Sequence, residues 1–308
     1  MRTITRLDQL QADARPVVLA AGAFDGVHRG HRVVLQRALD HAQRLHGTAW
    51  VMTFDPHPLK LLRPDIAPPL ITSTPHKLQL LRALGLDGCA VLPFTPALAA
   101  LEPEAFIAEL KRDVPQLDTL VVGANWTFGH RAHGNTTLLR ELAARHAFTA
   151  DVVEGVSLKD QTISSTRIRK AVSAGHLDEA ADLLGRPFSM YGTVIHGTQL
   201  GRQLGYPTAN VDPHNEVRPP AGIYAVRMQV EGALHPGAAF LTDFPDPRKG
   251  PPDVVEVYLM DRTLDLYDLE VEVFFEKRLR DEWRFDNLDA LKKQIALDVA
   301  HARAALNA

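Results

Sequence analysis

The stretch "VVLAAGAFDGVHRGHRVVLQRALDHAQRL", Val17–Leu45, decides how the first half of the chain is read. It opens on an apolar run of strand length, Val17–Ala20, and from His31 onward its apolar residues recur at helical spacing. Between the two lie Gly22, Gly26 and Gly30, with Asp25 among them and His28 and His31 three apart. Three readings of this turn stand side by side. Two histidines at this spacing can hold a metal. The glycines can simply shape a turn with solvent-facing histidines. Or the free N–H groups at the start of the helix can receive a phosphate, with imidazole donors beside them.

The same alternation continues outward. "TAWVMTF" (Thr48–Phe54), "GCAVLPF" (Gly88–Phe94) and "LDTLVVGANW" (Leu117–Trp126) read as buried strands. "TPHKLQLLRALG" (Thr74–Gly85) reads as a helix with a glycine stop, and "SSTRIRKAVSAGHLDEAADLLG" (Ser164–Gly185) as one or two helices. Strands apolar on both faces and alternating with helices predict a parallel sheet covered on both sides. After "LLGRP" (Leu183–Pro187) the pattern changes to short strands: "YGTVIHG", "GIYAVRMQV", "VVEVYLM" and "LEVEVFFEKRL", separated by Gly, Pro and Asp. These predict a small antiparallel barrel or sandwich. A final amphipathic helix is expected, with Asp286 as its N-cap and an apolar stripe of Leu288, Leu291, Ile295, Val299 and Ala302. The expected fold is therefore α/β in two domains, residues 1–184 and 185–308, as the length of 308 residues also favours.

Composition narrows the classes of function. The net charge is -3, so no basic surplus points to nucleic acid or a membrane surface. No apolar run is long enough to span a bilayer, and "MRTITRLDQL" has no signal-peptide core. The single cysteine, Cys89, lies among apolar residues and reads as a small buried hydrophobe in a reducing compartment. A soluble cytoplasmic protein is expected. Charge and composition locate no subunit interface, and a homo-oligomer stays open.

In a doubly wound sheet, ligands bind beyond the carboxyl ends of the strands. Three polar clusters follow strand-like runs: "GAFDGVHRGH", "FDPHP" with His57 between two prolines, and "VGANWTFGHRAHGN" with Asn125 and Trp126. A fourth, "ISSTRIR", opens a helix with Ser164, Ser165 and Thr166 as caps and Arg167 and Arg169 in the first turn. Arginines there oppose the helix dipole unless an anion is bound. The four clusters are expected to meet on one rim. Each has a plain structural counterpart: a turn, a rigid loop, a core tryptophan, an ordinary N-cap.

In the second half, "HGTQLGRQLGYPTAN" (His196–Asn210) is glycine-spaced, and such a loop can wrap phosphates with backbone N–H groups. Pro207 fixes the chain before Thr208 and Asn210, which in an extended segment point to one side and offer oxygens to magnesium. The pattern is not a Walker A loop. Glu256 interrupts an apolar strand, so it is either solvent-facing or functional.

Taken together, "GAFDGVHRGH", "ISSTRIR", "FDPHP", "VGANWTFGHRAHGN" and "LLGRPF" resemble the prokaryotic bifunctional riboflavin kinase/FMN adenylyltransferases (FAD synthetases). "GRQLGYPTAN" resembles their riboflavin kinase signature. The resemblance implies a Rossmann-like nucleotidyltransferase domain followed by a kinase barrel. It implies that riboflavin is phosphorylated to FMN and FMN adenylylated to FAD, each step using Mg-ATP. His28 and His31 would act on the triphosphate. Gly22, Phe24, Asp25, Gly30, His57, Asn125, Ser164, Ser165, Thr166, Arg167 and Arg169 would shape that ATP site. Gly201, Gly205, Pro207, Thr208 and Asn210 would bind ATP and Mg2+ in the kinase, Glu256 would be its general base, and Arg280 and Glu282 would lie on its flavin side. The chain departs from the family pattern at Ala23 and Phe240 (usually Asn) and at Thr242 and Asp268 (usually Gly). The altered segment Ala238–Gly250 raises an alternative, a monofunctional adenylyltransferase with a degenerate kinase.

Overall fold

The computed structural model describes residues 1–11, 14–197, 200–242, 254–260, 262 and 264–307. The chain folds as two compact units, Met1–Pro68 with Thr74–Ser164, and Pro69–Ser73 with Ser165–Ala308.

The first unit is built on a parallel sheet. Its strands are β1 (Arg2–Ile4), β2 (Val17–Ala21), β3 (Thr48–Asp55), β4 (Gly88–Pro93), β5 (Leu117–Gly123) and β6 (Thr149–Val153), in the order β1-β4-β3-β2-β5-β6. Alternate residues of β2 enter two different cores. Val17, Leu19 and Ala21 pack with one set of helices, and Val18 and Ala20 with the other. Helices α1 (Arg29–Arg44), α2 (Pro58–Leu62) and α3 (Thr74–Arg82) precede α4 (Pro96–Ala99), α5 (Pro103–Asp113) and α6 (Thr136–Arg145). Val34, Leu35 and Ala38 of α1 cover one face, and Phe106, Ile107 and Leu110 of α5 with Leu139 and Leu142 of α6 cover the other. This explains why β2 is apolar at every position. The edge strands β1 and β6 have no long apolar run, and the sequence reading did not find them. Strand order reverses at β2, between β3 and β5. Beyond its carboxyl end lies the crevice where doubly wound sheets bind ligands. Cys89 is fully buried, and burial pushes its thiol up to about 12.

A small hairpin, β7 (Ser157–Leu158) and β8 (Gln161–Thr162), precedes α7 (Ser165–Ser173) and α8 (Leu177–Leu184). The two helices break at Gly175, whose φ is +77°. In the second unit β9 (Phe188–Ile195), β10 (Thr208–Pro213), β11 (Gly222–Val230), β12 (Ala233–Leu241), β13 (Val255–Leu259) and β14 (Glu270–Arg280) close a barrel in the order β10-β13-β12-β11-β14-β9. Helix α9 (Leu200–Leu204) follows β9. Closure decides between the expected barrel and sandwich. Strands β10 and β12 escape the sequence reading because their proline, glycine and polar residues break the alternation. The last helix, α10 (Leu288–Asn307), starts one residue later than expected. Asn287, not Asp286, caps it by accepting from the Ala290 N–H at 2.9 Å. Leu288 of the expected stripe is exposed, while Val299 and Ala302 of that stripe, joined by Leu306, pack with Ala225 and Met260.

Candidate active sites

Three of the four polar clusters of the first half leave the carboxyl ends of neighbouring strands: Gly22–His28 after β2, His57 after β3 and Asn125 after β5. The β2 turn is compact and strained. Phe24 (φ +49°) and Val27 (φ +41°) take left-handed angles, which a β-branched residue such as valine rarely adopts. Asp25 is buried.

His28 stands at the N-cap of α1, and its Nδ1 accepts from the His31 backbone N–H at 3.2 Å. That bond fixes the tautomer of a neutral His28, with its proton on Nε2. The two imidazoles stack at 3.6 Å between centroids, 17° from parallel, and Phe24 meets His31 edge-on at 5.3 Å. The stack lies close over Gly30: a methyl there would be 3.1 Å from the His28 ring, so the ring would have to shift. The methyl would also lie 3.8 Å from the Ile163 carbonyl, which places the segment before Ser164 against the first turn of α1. His31 Nδ1 is buried and has no hydrogen-bond partner among the described residues. Burial first, then the electrostatic influence of His28 and Lys77, lowers the His31 pKa well below the usual histidine range. The Arg29 and Gly30 amides have no acceptor within the helix, as at any helix N-terminus. Open amides at such a helix start suit a phosphate, and among the described residues no group of three or more His, Cys, Asp or Glu gathers here to hold a metal.

The other residues of this set divide. Ser165, Thr166, Arg167 and Arg169 lie in the first turns of α7, with Ser164 just before it. Arg167 pairs with Glu179 of α8 at 2.8 Å, and Arg169 Nε donates to the Pro69 carbonyl at 2.7 Å. Asn125 is exposed. Trp126 stacks on Phe128 at 4.7 Å and packs against the core, the structural alternative for that residue. His57 caps α2, its Nδ1 accepting from the Leu59 N–H at 3.2 Å.

In the barrel, strand register lines up the second set. Asn210 of β10 lies opposite Glu256 of β13, which lies opposite Phe240 of β12. Phe240 pairs with Ile223 of β11, and Ile223 with Arg280 of β14. Directly paired residues share a face, so one row across five strands carries Asn210, Glu256 and Arg280. With strands about 4.8 Å apart, Glu256 is one strand from Asn210 and three from Arg280. Thr208 and Asn210 face the same side of β10 and line a cavity of about 620 Å³ with Pro207, Arg202, Arg262 and Tyr267. Close packing holds the glycine loop over them. A methyl at Gly201 would lie 2.4 Å from the Tyr206 carbonyl and 3.3 Å from Thr208 Oγ1, and one at Gly197 would strike the Asn210 amide. The hydroxyl and amide oxygens form a donor set that fits a hard cation which keeps several waters. Gly205 lies at the end of this loop with φ +89°.

A family model for FAD synthetase matches residues 10–167, and one for riboflavin kinase matches residues 184–306. The bifunctional riboflavin kinase/FMN adenylyltransferase of Escherichia coli K12 is 37% identical over 294 residues, covering 95% of this chain and 94% of that one. This chain belongs to the bifunctional riboflavin kinase/FMN adenylyltransferase family. The Pseudomonas fluorescens member is 35% identical over 99% of this chain and 97% of its own. A crystal structure from Streptococcus pneumoniae, of a protein called a macrolide-efflux protein, superposes with a TM-score of 0.81 at 27% identity and covers 96% of each chain. No helix among the described residues is long and apolar enough to cross a membrane.

Within the bifunctional family's pattern, three of the four departures have local explanations, and Phe240 has none in the structure. Asp268 sits at φ +61°, where the family's glycine is at ease and Asp is among the better-tolerated substitutes. Thr242 Oγ1 donates to Glu282 at 2.8 Å. Ala23 contributes its carbonyl, not a side chain, to the β2 turn. Of the altered segment Ala238–Gly250, residues 243–250 lie outside the described residues. Arg202, Arg262 and Tyr267 escaped the sequence reading. Arg202 sits inside the glycine motif and was there to be found, whereas Arg262 and Tyr267 reach the cavity only through the barrel's closure.

Proposed function

We propose that this chain phosphorylates riboflavin to FMN in the barrel and adenylylates FMN to FAD at the rim of the parallel sheet, with residues 1–184 and 185–308 as the two functional domains. The observation that carries the reading is the cross-barrel row. The carboxylate in question, Glu256, is the immediate strand neighbour of Asn210, and the family models matching each half leave the degenerate-kinase alternative without support.

In the kinase step the riboflavin 5′-hydroxyl oxygen bonds to the ATP γ-phosphorus while the bond to the β,γ-bridging oxygen breaks. Glu256 accepts the hydroxyl proton, and ADP leaves. Gly201, Gly205 and Pro207 shape the loop around the phosphates. Thr208 and Asn210 would hold Mg2+, which supplies charge neutralisation on the phosphates. Arg280 and Glu282 border the flavin. In the second step an FMN phosphate oxygen bonds to the ATP α-phosphorus and pyrophosphate leaves, so no proton need move. His28 Nε2–H donates to the triphosphate. His31, the first turn of α1 (Gly30 included), Gly22, Phe24 and Asp25 fix its place. Ser164, Ser165, Thr166, Arg167 and Arg169 contribute further phosphate donors, Asn125 contacts the nucleotide, and His57 orders the β3 loop. The partners are small molecules in a cytoplasmic setting, in keeping with a buried lone thiol.

The experiment supplies Mg-ATP with riboflavin or with FMN and resolves the flavins by chromatography. FAD from both supports the reading. FAD from FMN alone would remove the kinase half, and no turnover of either would overturn the whole.

A further inference from the structure

Helix α3 turns a lysine into the protein. Lys77 is only 6% exposed, and an ammonium in that setting is destabilising unless its protons are used. Its Nζ donates to the Ala23 carbonyl at 2.9 Å and to Thr53 Oγ1 at 3.2 Å. Thr53 Oγ1 in turn donates to the same Ala23 carbonyl at 3.1 Å. One carbonyl is thus held by two donors that also hold each other. It belongs to the residue just before Phe24, where the left-handed turn begins. Left-handed angles at non-glycine residues are unfavourable and persist where the surroundings over-determine them.

A neutral donor would serve a carbonyl as well, so fixing the turn does not account for the charge. The acidic groups that act on Lys77 are Asp25, inside the turn, and Asp55, at the end of β3. The buried Cys89 thiol is the remaining titratable neighbour. Burial lowers the lysine's pKa, while the carboxylates of Asp25 and Asp55 work to keep it charged. The charge also reaches the imidazole of His31, which it disfavours as a cation. A positive charge in a low-dielectric interior acts on an anion outside with little screening.

We propose that Lys77 is a positioning residue of the adenylyl-transfer site, clamping the Ala23 carbonyl so that the Phe24–Val27 turn sets His28 at the head of α1, and lending a buried positive charge to the triphosphate bound there. The inference rests on the reading of that site given above. The family motifs quoted for the site do not include this lysine, which lies some fifty residues downstream of the turn it holds.

The test uses the full chain, with riboflavin phosphorylation as an internal control. In Lys77→Met, FAD formation from FMN should fall about 10- to 100-fold in kcat, the scale of a misplaced reacting group. Inhibition by inorganic pyrophosphate should weaken about tenfold, while the kinase rate holds. Lys77→Arg keeps the charge and should recover pyrophosphate affinity to within about threefold. A purely structural lysine would lower the melting temperature without this split. A folded Lys77→Met with both readouts within about twofold of wild type overturns the proposal, as does an arginine variant no better than methionine. If Lys77→Met does not fold, Thr53→Val decides. It removes one leg of the clamp at equal volume, and a loss of about 3- to 10-fold in FAD formation is expected, with full activity overturning the clamp. Absence of FAD from the wild type would strike the activity reading instead, and pyrophosphate binding by calorimetry would still decide on Lys77.

Discussion

Thr242 Oγ1 donates a 2.8 Å hydrogen bond to Glu282 Oε1, so a residue that departs from the family pattern serves one that keeps it. The other carboxylate oxygen, Oε2, is buried with no hydrogen-bond partner among the described residues. Removing the threonine hydroxyl leaves both oxygens poorly satisfied, a loss of about 1–3 kcal/mol for a charged acceptor. Thr242→Val should therefore raise the KM for riboflavin about 3- to 30-fold. FAD formation from added FMN should stay at the wild-type rate. An unchanged riboflavin KM in steady-state kinetics would separate Glu282 from the flavin.

Gly30→Ala sets two effects against each other. Alanine in the first turn of α1 gains about 1 kcal/mol in helix propensity. The added methyl, however, would lie 3.1 Å from the His28 ring, tilting the imidazole out of its cap and stack. The cap alone is worth about 0.5–2 kcal/mol, so the melting temperature should move little. Activity is the sensitive quantity, because small displacements at a reacting centre can cost about a hundredfold. FAD formation should drop by that order while riboflavin phosphorylation is untouched. A variant as active as wild type would mean that the His28 geometry is dispensable.

The central elements were legible in the sequence because burial writes itself as pattern. Strand β2, buried on both faces, is apolar throughout, and the rim motifs follow from where the strands end. Edge strands β1 and β6 and the broken strands β10 and β12 carry no such pattern, since their pairing is supplied by neighbours distant in sequence. The site was legible where side chains do the work and illegible where they act from behind. Lys77 looks like any helix lysine until the fold buries it. Asp298 reads as the polar side of α10 until the barrel places Arg280 against it. The Asn287 cap was missed for a smaller reason: Asp286 and Asn287 are both good caps, and only the helix start distinguishes them.

His31 gives a pH signature. Its pKa in the folded protein is depressed, chiefly by burial, below the ordinary value of 6.5 that applies unfolded. The unfolded chain therefore takes up a proton at higher pH than the folded one. Stability is unaffected well above pH 6.5 and is lost as pH falls from there toward the folded pKa. Thermal melts between pH 7.5 and 5.5 should show the first unit losing stability in the wild type. His31→Gln, which has nothing to protonate, should lose less over the same window. Parallel curves for the two proteins would mean that His31 is readily protonated in the fold.

Arg280 and Asp298 form a two-pronged pair, with Nε to Oδ1 at 2.8 Å and Nη2 to Oδ2 at 2.6 Å, the side chains 13% and 6% exposed. Gln294 also donates to Asp298 at 2.9 Å, and the guanidinium lies 4.6 Å from the Trp283 ring centre. This pair ties α10 to the end of β14, and it holds Arg280 in one orientation beside the row that carries Glu256. Breaking a buried pair from one side leaves the other charge uncompensated, at about 3–5 kcal/mol. Asp298→Ala should accordingly lower the melting temperature of the barrel by several degrees and depress riboflavin phosphorylation. Asp298→Asn retains one acceptor and the helix packing, so it should keep most of the stability while the kinase rate still falls. FAD formation from FMN should persist in both. Equal kinase rates in the wild type and a folded Asp298→Asn would show that Arg280 needs no such anchor, and that α10 contributes only its packing.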